Sequence, residues 1–329
     1  MSLSDLRVSS PAHLVAVVPY LLGFHPRDSL VVVGRRDHAL VFAARQDLPL
    51  PEVPLAELDA YANRIAAVVA RQSVDSVVLI GYTGGQHSGA ALVAAVGDAL
   101  LELSIPVGEQ LRVADGHFWC YLCTDEKCCP PAGRPYADEA AEVRAVAGYP
   151  VHANRAAMVA SIAPVTGAAR EAMLRATAAA DRRLDLLCAR TATGPGRLLG
   201  ALRRAGSRAV GAAMARHRVG GTLDDDELAW LTVLLAHDPV SEYALNQAQG
   251  LGWEVVLWSD VLRRARPELA AVPAVLLAFT AWRIGQGALA SVAVDRALAT
   301  DPSLGIARLL DDVLTDGIPP SALDEPSAA

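Results

Sequence analysis

The chain has 329 residues, 53% hydrophobic but only 5% aromatic, with 36 acidic against 29 basic side chains and a formal net charge of −7. Such a length is too great for one ordinary core and predicts two domains, packed mostly by Ala, Val and Leu. The acidic balance weighs against a general nucleic-acid binder, whose affinity rests on neutralised phosphates, and the longest apolar run, 269–282, contains Pro273 and is too short to span a bilayer.

The first element in chain order is a helix over 11–22, with Leu14, Val17, Val18, Leu21 and Leu22 at helical spacing, Ser9 or Ser10 as cap and Gly23 as stop. Two β-branched runs, 29–33 and 39–44, flank Gly34 to His38 and predict a hairpin with more than a two-residue turn. A helix follows over 57–71. The continuous apolar run 76–80 reads as a strand covered on both faces. A glycine-containing loop, 81–89, leads to a helix over 90–103, and 110–113 and 118–122 read as further strands. The expected class is an α/β N-terminal domain with a mixed sheet, followed by a mostly α-helical C-terminal domain. The expected boundaries are 1–135, ending in a cysteine-rich turn, then a helical domain over 136–318 and a disordered tail over 319–329. Helical patterns cover 137–147, 153–163, 167–191, 197–217, 224–237, 240–248, 257–265, 272–285, 287–299 and 303–315. Within 272–285 and 287–299, Ala274, Ala278, Ala281, Ala290 and Ala297 sit at the small positions of an αα-hairpin.

Four stretches bear on chemistry. Gly23 to Ser29 holds His25, Asp28 and Ser29, three neighbours entering a strand. They cannot converge as a catalytic triad, which the fold normally assembles from separate segments. His25-Pro26 instead forces an extended link and Asp28 suits a turn; these residues can line a pocket. The loop 81–89, with Tyr82, Gly84 and Gly85, lies between a strand and a helix, where open α/β sheets bind ligands. Its glycine spacing matches neither GxxxxGK[ST] nor GxGxxG, so neither a P-loop nucleotide nor a dinucleotide is expected. The third stretch, His117-x2-Cys120-x2-Cys123-x4-Cys128-Cys129, gathers five borderline or soft ligands, a set that zinc or a thiol redox cluster can use. On a strand Cys120 and Cys123 would face opposite ways, so a turn would have to bring them together. The fourth is a belt of nine arginines between Asp181 and Gly220 with two acids. Arg197, Arg203, Arg204 and Arg208 are its candidates for an anionic partner, although no aromatics within it can stack bases. Asp224-Asp225-Asp226 lacks EF-hand spacing and reads as the acidic first turn of a helix capped by Thr222.

Gly23-Phe24-His25-Pro26-Arg27-Asp28-Ser29-Leu30-Val31-Val32-Val33, and Tyr121-Leu122-Cys123 followed by Cys128-Cys129-Pro130-Pro131-Ala132-Gly133, resemble the hallmark stretches of an actinobacterial family catalogued as domain of unknown function 4192. The resemblance spans most of the chain and carries over Cys123, Cys128 and Cys129, but not Cys120 or His117. It implies a fold unit and transfers no activity. The expected function is therefore a non-catalytic ligand- or partner-binding or regulatory protein, its partner a protein or a small molecule and not a membrane. Five cysteines, an odd number, and an N-terminus without a signal-peptide pattern suit a reducing cytoplasm. The alternatives are a hydrolase or a thiol- or metal-dependent enzyme using Cys123, Cys128 and Cys129, and a nucleic-acid-associated protein using the Arg182–Arg218 belt.

Overall fold

Helix α1 (Pro11–Leu22) starts where Ser10 accepts the N–H of His13 at 3.1 Å and stops at Gly23, whose φ of +78° is the left-handed cap that glycine adopts without strain. Its interior Pro19 has no N–H, which leaves the carbonyl of Val15 without its helical donor. The hydroxyl of Tyr82 lies 3.4 Å from that carbonyl and donates to it. Burial, then the neighbouring Tyr136, raises the pKa of Tyr82 well above the ordinary phenol value, so it stays a neutral donor.

The computed structural model describes residues 8, 10–37, 39–49, 53–84, 89–147, 151–191 and 195–323. They divide into two units. The α/β unit takes the chain to Met158 and also Asp316–Ala322; the helical unit takes Val159–Thr315.

In the α/β unit, β1 (Ser29–Arg36) and β2 (Ala39–Asp47) form the expected hairpin. After α2 (Leu55–Ala70) come β3 (Ser76–Tyr82), α3 (Ala90–Glu102), β4 (Val107–Ala114), β5 (His117–Cys120) and the two-residue β6 (Arg134–Pro135). The sheet order is β2-β1-β3-β4-β5-β6, with β3 and β4 parallel and the other neighbours antiparallel. A parallel pair needs a crossover, and α3 supplies it. Leu30, Val32, Val77 and Leu79 form one buried cluster with Ala62, Ala66 and Val69 of α2 and Val93, Val96 and Leu100 of α3. The alternate residues Val31, Val33, Val78 and Ile80 are equally buried; by the two-residue period they lie on the opposite face, with Tyr82 and α1. Helix α4 (Ala137–Ala147) packs against α1. The chain returns at Asp316, where Arg71 donates to its carbonyl at 2.6 Å; Pro320–Leu323 form a 3-10 turn.

The boundary between the units falls within α5 (Arg155–Ser161). The helical unit then runs through α6 (Gly167–Thr191), α7 (Pro195–Arg218), α8 (Asp225–Leu235), α9 (Asp238–Gln247), α10 (Gly252–Arg264), α11 (Ala271–Arg283), α12 (Gly287–Thr300) and α13 (Gly305–Thr315). Its core includes Leu228, Leu231, Leu234, Val240, Trp258, Val261 and Leu276. At two helix starts, α8 and α10, a carboxylate sets a boundary that the sequence reading placed elsewhere. Asp224, not Thr222, caps α8: it accepts the N–H of Glu227 at 2.8 Å, and Glu227 accepts the N–H of Asp224 at 3.2 Å, a reciprocal capping box. Helix α10 starts five residues before the expected 257, because buried Glu254 accepts the N–H groups of Gln249, Gly250 and Leu251 at 2.8–3.2 Å. Those donors precede the first full turn, where no helical carbonyl can reach them. Helices α11 and α12 pack as the expected hairpin, with Ala274, Ala278, Ala281, Ala290 and Ala297 all buried.

Candidate functional site

The start of β1 and the ends of β3 and β4 meet at one edge of the α/β unit. There Asp28 has φ +44°, the left-handed region that Asp enters more readily than most residues. Its Oδ1 accepts the N–H of Gly84 at 2.9 Å, and its carbonyl accepts the N–H of Leu48 at 2.9 Å. Ser29 is fully buried. Its hydroxyl donates to the carbonyl of Arg27 at 2.5 Å and accepts from Arg45 Nε at 2.8 Å. A hydroxyl whose proton is held by a backbone carbonyl is not an activated nucleophile. Arg45 also pairs with Asp47 and stacks 6.0 Å above Phe24. His25 is exposed; its N–H donates to the carbonyl of His152 at 3.0 Å, and His152 donates back to Gly23 at 2.9 Å. The stretch from Gly23 to Ser29 is thus a hub that ties β1 to β2, to the end of β3 and to residue 152.

The expected ligand-binding set does not gather as one site. Asp28 and Gly84 meet directly, and Ser29 stands opposite Tyr82 in the β1–β3 register, but the Tyr82 hydroxyl reaches Val15 on the α1 face. Gly85 lies outside the described residues. Arg112, Trp119 and Tyr121, none of them among the candidate site residues read from the sequence, complete this edge. Arg112 donates to Thr83 Oγ1 at 3.2 Å and sits 4.8 Å over the ring of Trp119. The Tyr121 hydroxyl fills the space a side chain on Gly81 would need, since a Cβ there would lie 2.6 Å from it. Burial pushes the Tyr121 phenol up to about 12, outweighing the opposing pull of Arg112.

The cysteine stretch resolves into two parts. Cys120 and His117 belong to β5, opposite Leu111 and Ala114, and His117 Nδ1 lies 2.9 Å from the carbonyl of Asp115. Past the strand end the chain turns, and Cys123, Cys128 and Cys129 bring their sulfurs within 4.8 Å of one another. The carbonyl of Asp125 accepts the N–H groups of Cys128 at 3.0 Å and Cys129 at 2.7 Å, which closes the turn. Hydrogen bonding at the Asp125 backbone and then with Cys129 lowers the Cys123 thiol; the nearness of Cys123 raises Cys128. Neither Cys120 nor His117 joins this sulfur group.

The arginine belt forms a groove in the helical unit, a cavity of about 880 Å³. Helix α6 lines it with Ala179, Arg182, Arg183, Leu186, Leu187 and Arg190, spaced as a single helical face. Helix α7 contributes Arg204 and Arg208 among Ala201, Ala205, Ala209, Ala212 and Ala213. Leu223 and Trp230 lie at its base, and Arg183 covers the Trp230 ring at 4.1 Å. Asp224, Asp226 and Glu227 mark an acidic end; of these, Asp224 and Glu227 are engaged by the capping box, and Glu227 pairs with Arg216 at 2.7 Å. Among the described residues, no carboxylate pairs with Arg182, Arg190, Arg204 or Arg208. Arg197 and Arg203, also expected here, do not line the groove.

Residues 11–321 match the model of a family described as a domain of unknown function (DUF4192). The chain belongs to that family. The DUF4192 match begins at the first residue of α1 and ends in the last 3-10 turn, so it takes in the Asp28 hub, the three-thiol turn and the arginine groove. No curated protein and no solved structure matches the chain. Membership of DUF4192 assigns the chain a family and no activity, so its function has to come from its own site geometry. Among the described residues no helix is long and apolar enough to cross a membrane. The regular four-residue spacing of Arg182, Leu186 and Arg190 is the sequence signal that marks the α6 wall of the groove.

Proposed function

We propose that this protein is a non-catalytic binding protein whose helical unit takes an acidic amphipathic helix of a protein partner. The observation that carries the reading is the groove between α6 and α7, where unpaired arginines rim an apolar floor. From Ala179 to Arg190 the α6 wall spans 12 residues, about 17 Å at a rise of about 1.5 Å each, close to three turns of a docked helix. Alanines along α7 let a second backbone approach closely, and Leu186, 58% exposed, offers apolar surface with no cover. A helix with leucines on one face and glutamates beside them matches both features. The acidic end at Asp224 and Asp226 repels a continuous phosphate backbone, which favours a peptide over a nucleic acid. The free thiols Cys120, Cys123, Cys128, Cys129 and Cys188 support a reducing, cytoplasmic setting.

The test is selection from a display library of helical peptides with the full-length protein as bait. Enrichment of peptides with paired Leu and Glu faces, abolished in the Arg204→Glu plus Arg208→Glu variant, is expected. No enrichment, or enrichment that survives the double substitution, overturns the reading, as does tighter binding of an oligonucleotide at the same salt.

A further inference from the structure

The turn from Cys123 to Cys129 has little apolar burial: Leu122, Thr124, Asp125, Glu126, Lys127 and Cys128 are all exposed. A loop of this kind has little hydrophobic energy to set against the entropy of ordering it. Its backbone is nonetheless closed. Asp125 accepts the N–H groups of Cys128 and Cys129 through its carbonyl, and that of Lys127 through its carboxylate at 2.9 Å. Three sulfurs converge, not two. A disulfide would use two of them and strand the third, whereas one cation uses all three. Around a tetrahedral zinc with Zn–S bonds of about 2.3 Å, neighbouring sulfurs stand about 3.8 Å apart. The sulfurs here, within 4.8 Å of one another, need to close by no more than about an ångström to reach that separation.

The geometry points to a zinc(II) site formed by Cys123, Cys128 and Cys129, with the fourth position left to water or to a donor from another molecule. Among the described residues no further histidine, cysteine or carboxylate joins the sulfur group. As each Zn–S bond forms, its thiol releases a proton to solvent; no electron moves and no oxidant is needed. Three thiolates on Zn²⁺ leave one net negative charge, and Lys127, the chain's single lysine, sits in the same turn. The ion would also clip the sheet edge. The strand leaves at Cys120 and returns as β6 opposite His117 and Phe118, and the Trp119 Nε1 donates to the carbonyl of Pro131 at 3.1 Å. Gly133 (φ +78°) makes that return, where a Cβ would lie 2.6 Å from the Trp119 ring.

The experiment uses the full-length protein, reduced and stripped by a chelator, then titrated with cobalt(II) and back-titrated with zinc(II). About one cobalt per chain is expected, with thiolate-to-metal charge-transfer absorption and the visible bands of a tetrahedral ion, both displaced by about one zinc. Cys123→Ser, Cys128→Ser and Cys129→Ser should each weaken binding by at least about tenfold, while Cys120→Ser, Cys188→Ser and His117→Ala titrate as the unmodified protein does. Circular dichroism confirms that each variant is folded. If the unmodified protein develops no charge-transfer band, the site is overturned without recourse to any variant. It is equally overturned if Cys120→Ser loses as much as Cys128→Ser, or if two of the three thiols form a disulfide in metal-free protein isolated under inert gas.

Discussion

The Asp28 hub and the arginine groove are both rich in charged side chains, and they use them in opposite ways. At the hub the polar groups answer one another: Asp28 holds Gly84, Ser29 is bonded to Arg27 and Arg45, and Arg45 also pairs with Asp47. In the groove Arg182, Arg190, Arg204 and Arg208 face a cavity, and among the described residues no carboxylate pairs with them. Charges that are matched within the chain do architectural work, because each one removed leaves a neighbouring strand or loop without the bond that holds it. Charges left unmatched around a cavity cost the fold little and remain available to something outside it. A motif's prominence in sequence therefore does not say which kind it is: Gly23 to Ser29 is the most recognisable stretch of the chain, and its groups are largely spent on structure.

Glu254 is a fully matched acid in the same helical unit as the groove. Glu254→Ala strands the N–H groups of Gln249, Gly250 and Leu251 and should lower stability to urea by about 3 kcal/mol. Arg204→Glu with Arg208→Glu should do the reverse, weakening binding of a selected acidic peptide about 100-fold while moving the urea midpoint little. A large stability loss from that pair would place the groove with the hub and dissolve the distinction.

Asp28 gives a finer test. Asp28→Ala should cost about 1–2 kcal/mol, because it removes the acceptor of the Gly84 N–H and puts a poorly suited residue at φ +44°. Asp28→Asn keeps the acceptor and tolerates that backbone, so it should cost less than about 0.5 kcal/mol. Equal losses in the two variants would show that the carboxylate's charge, not its acceptor geometry, holds the loop. The smallest effect is in pH. Tyr121 has a folded-state pKa raised to about 12 from the ordinary 10, so its contribution is complete below pH 10 and is lost as pH rises to about 12. Since Tyr121 is only partly buried, the loss should be about 1 kcal/mol; Tyr121→Phe should flatten that part of the stability curve.

Periodicity made much of the fold legible. The β-branched run 29–33 and the continuous apolar run 76–80 located the central strands, and helical spacing located α1, α3, α6 and α7 to within a few residues. These signals are local, since they arise from which face of an element must be buried. Individual side-chain hydrogen bonds were not legible, whether local or distant. The Glu254 clamp and the Asp224 cap moved two helix starts, the two-residue β6 is too short to carry a pattern, and the Tyr82 bond to the carbonyl freed by Pro19 joins residues 67 positions apart.

The candidate sites divide along the same line. By itself the sequence determined that thiols cluster near 120–129, that arginines cluster between 182 and 218, and that no P-loop or dinucleotide loop is present. Only the tertiary structure decided that Cys123, Cys128 and Cys129 meet while Cys120 and His117 stay on β5, and that Arg204 and Arg208 share a groove with Arg182 and Arg190 while Arg197 and Arg203 do not. The physical reason is that sequence spacing fixes which side of its own helix or turn a side chain leaves from. Which neighbour it then meets is set by how separate elements pack.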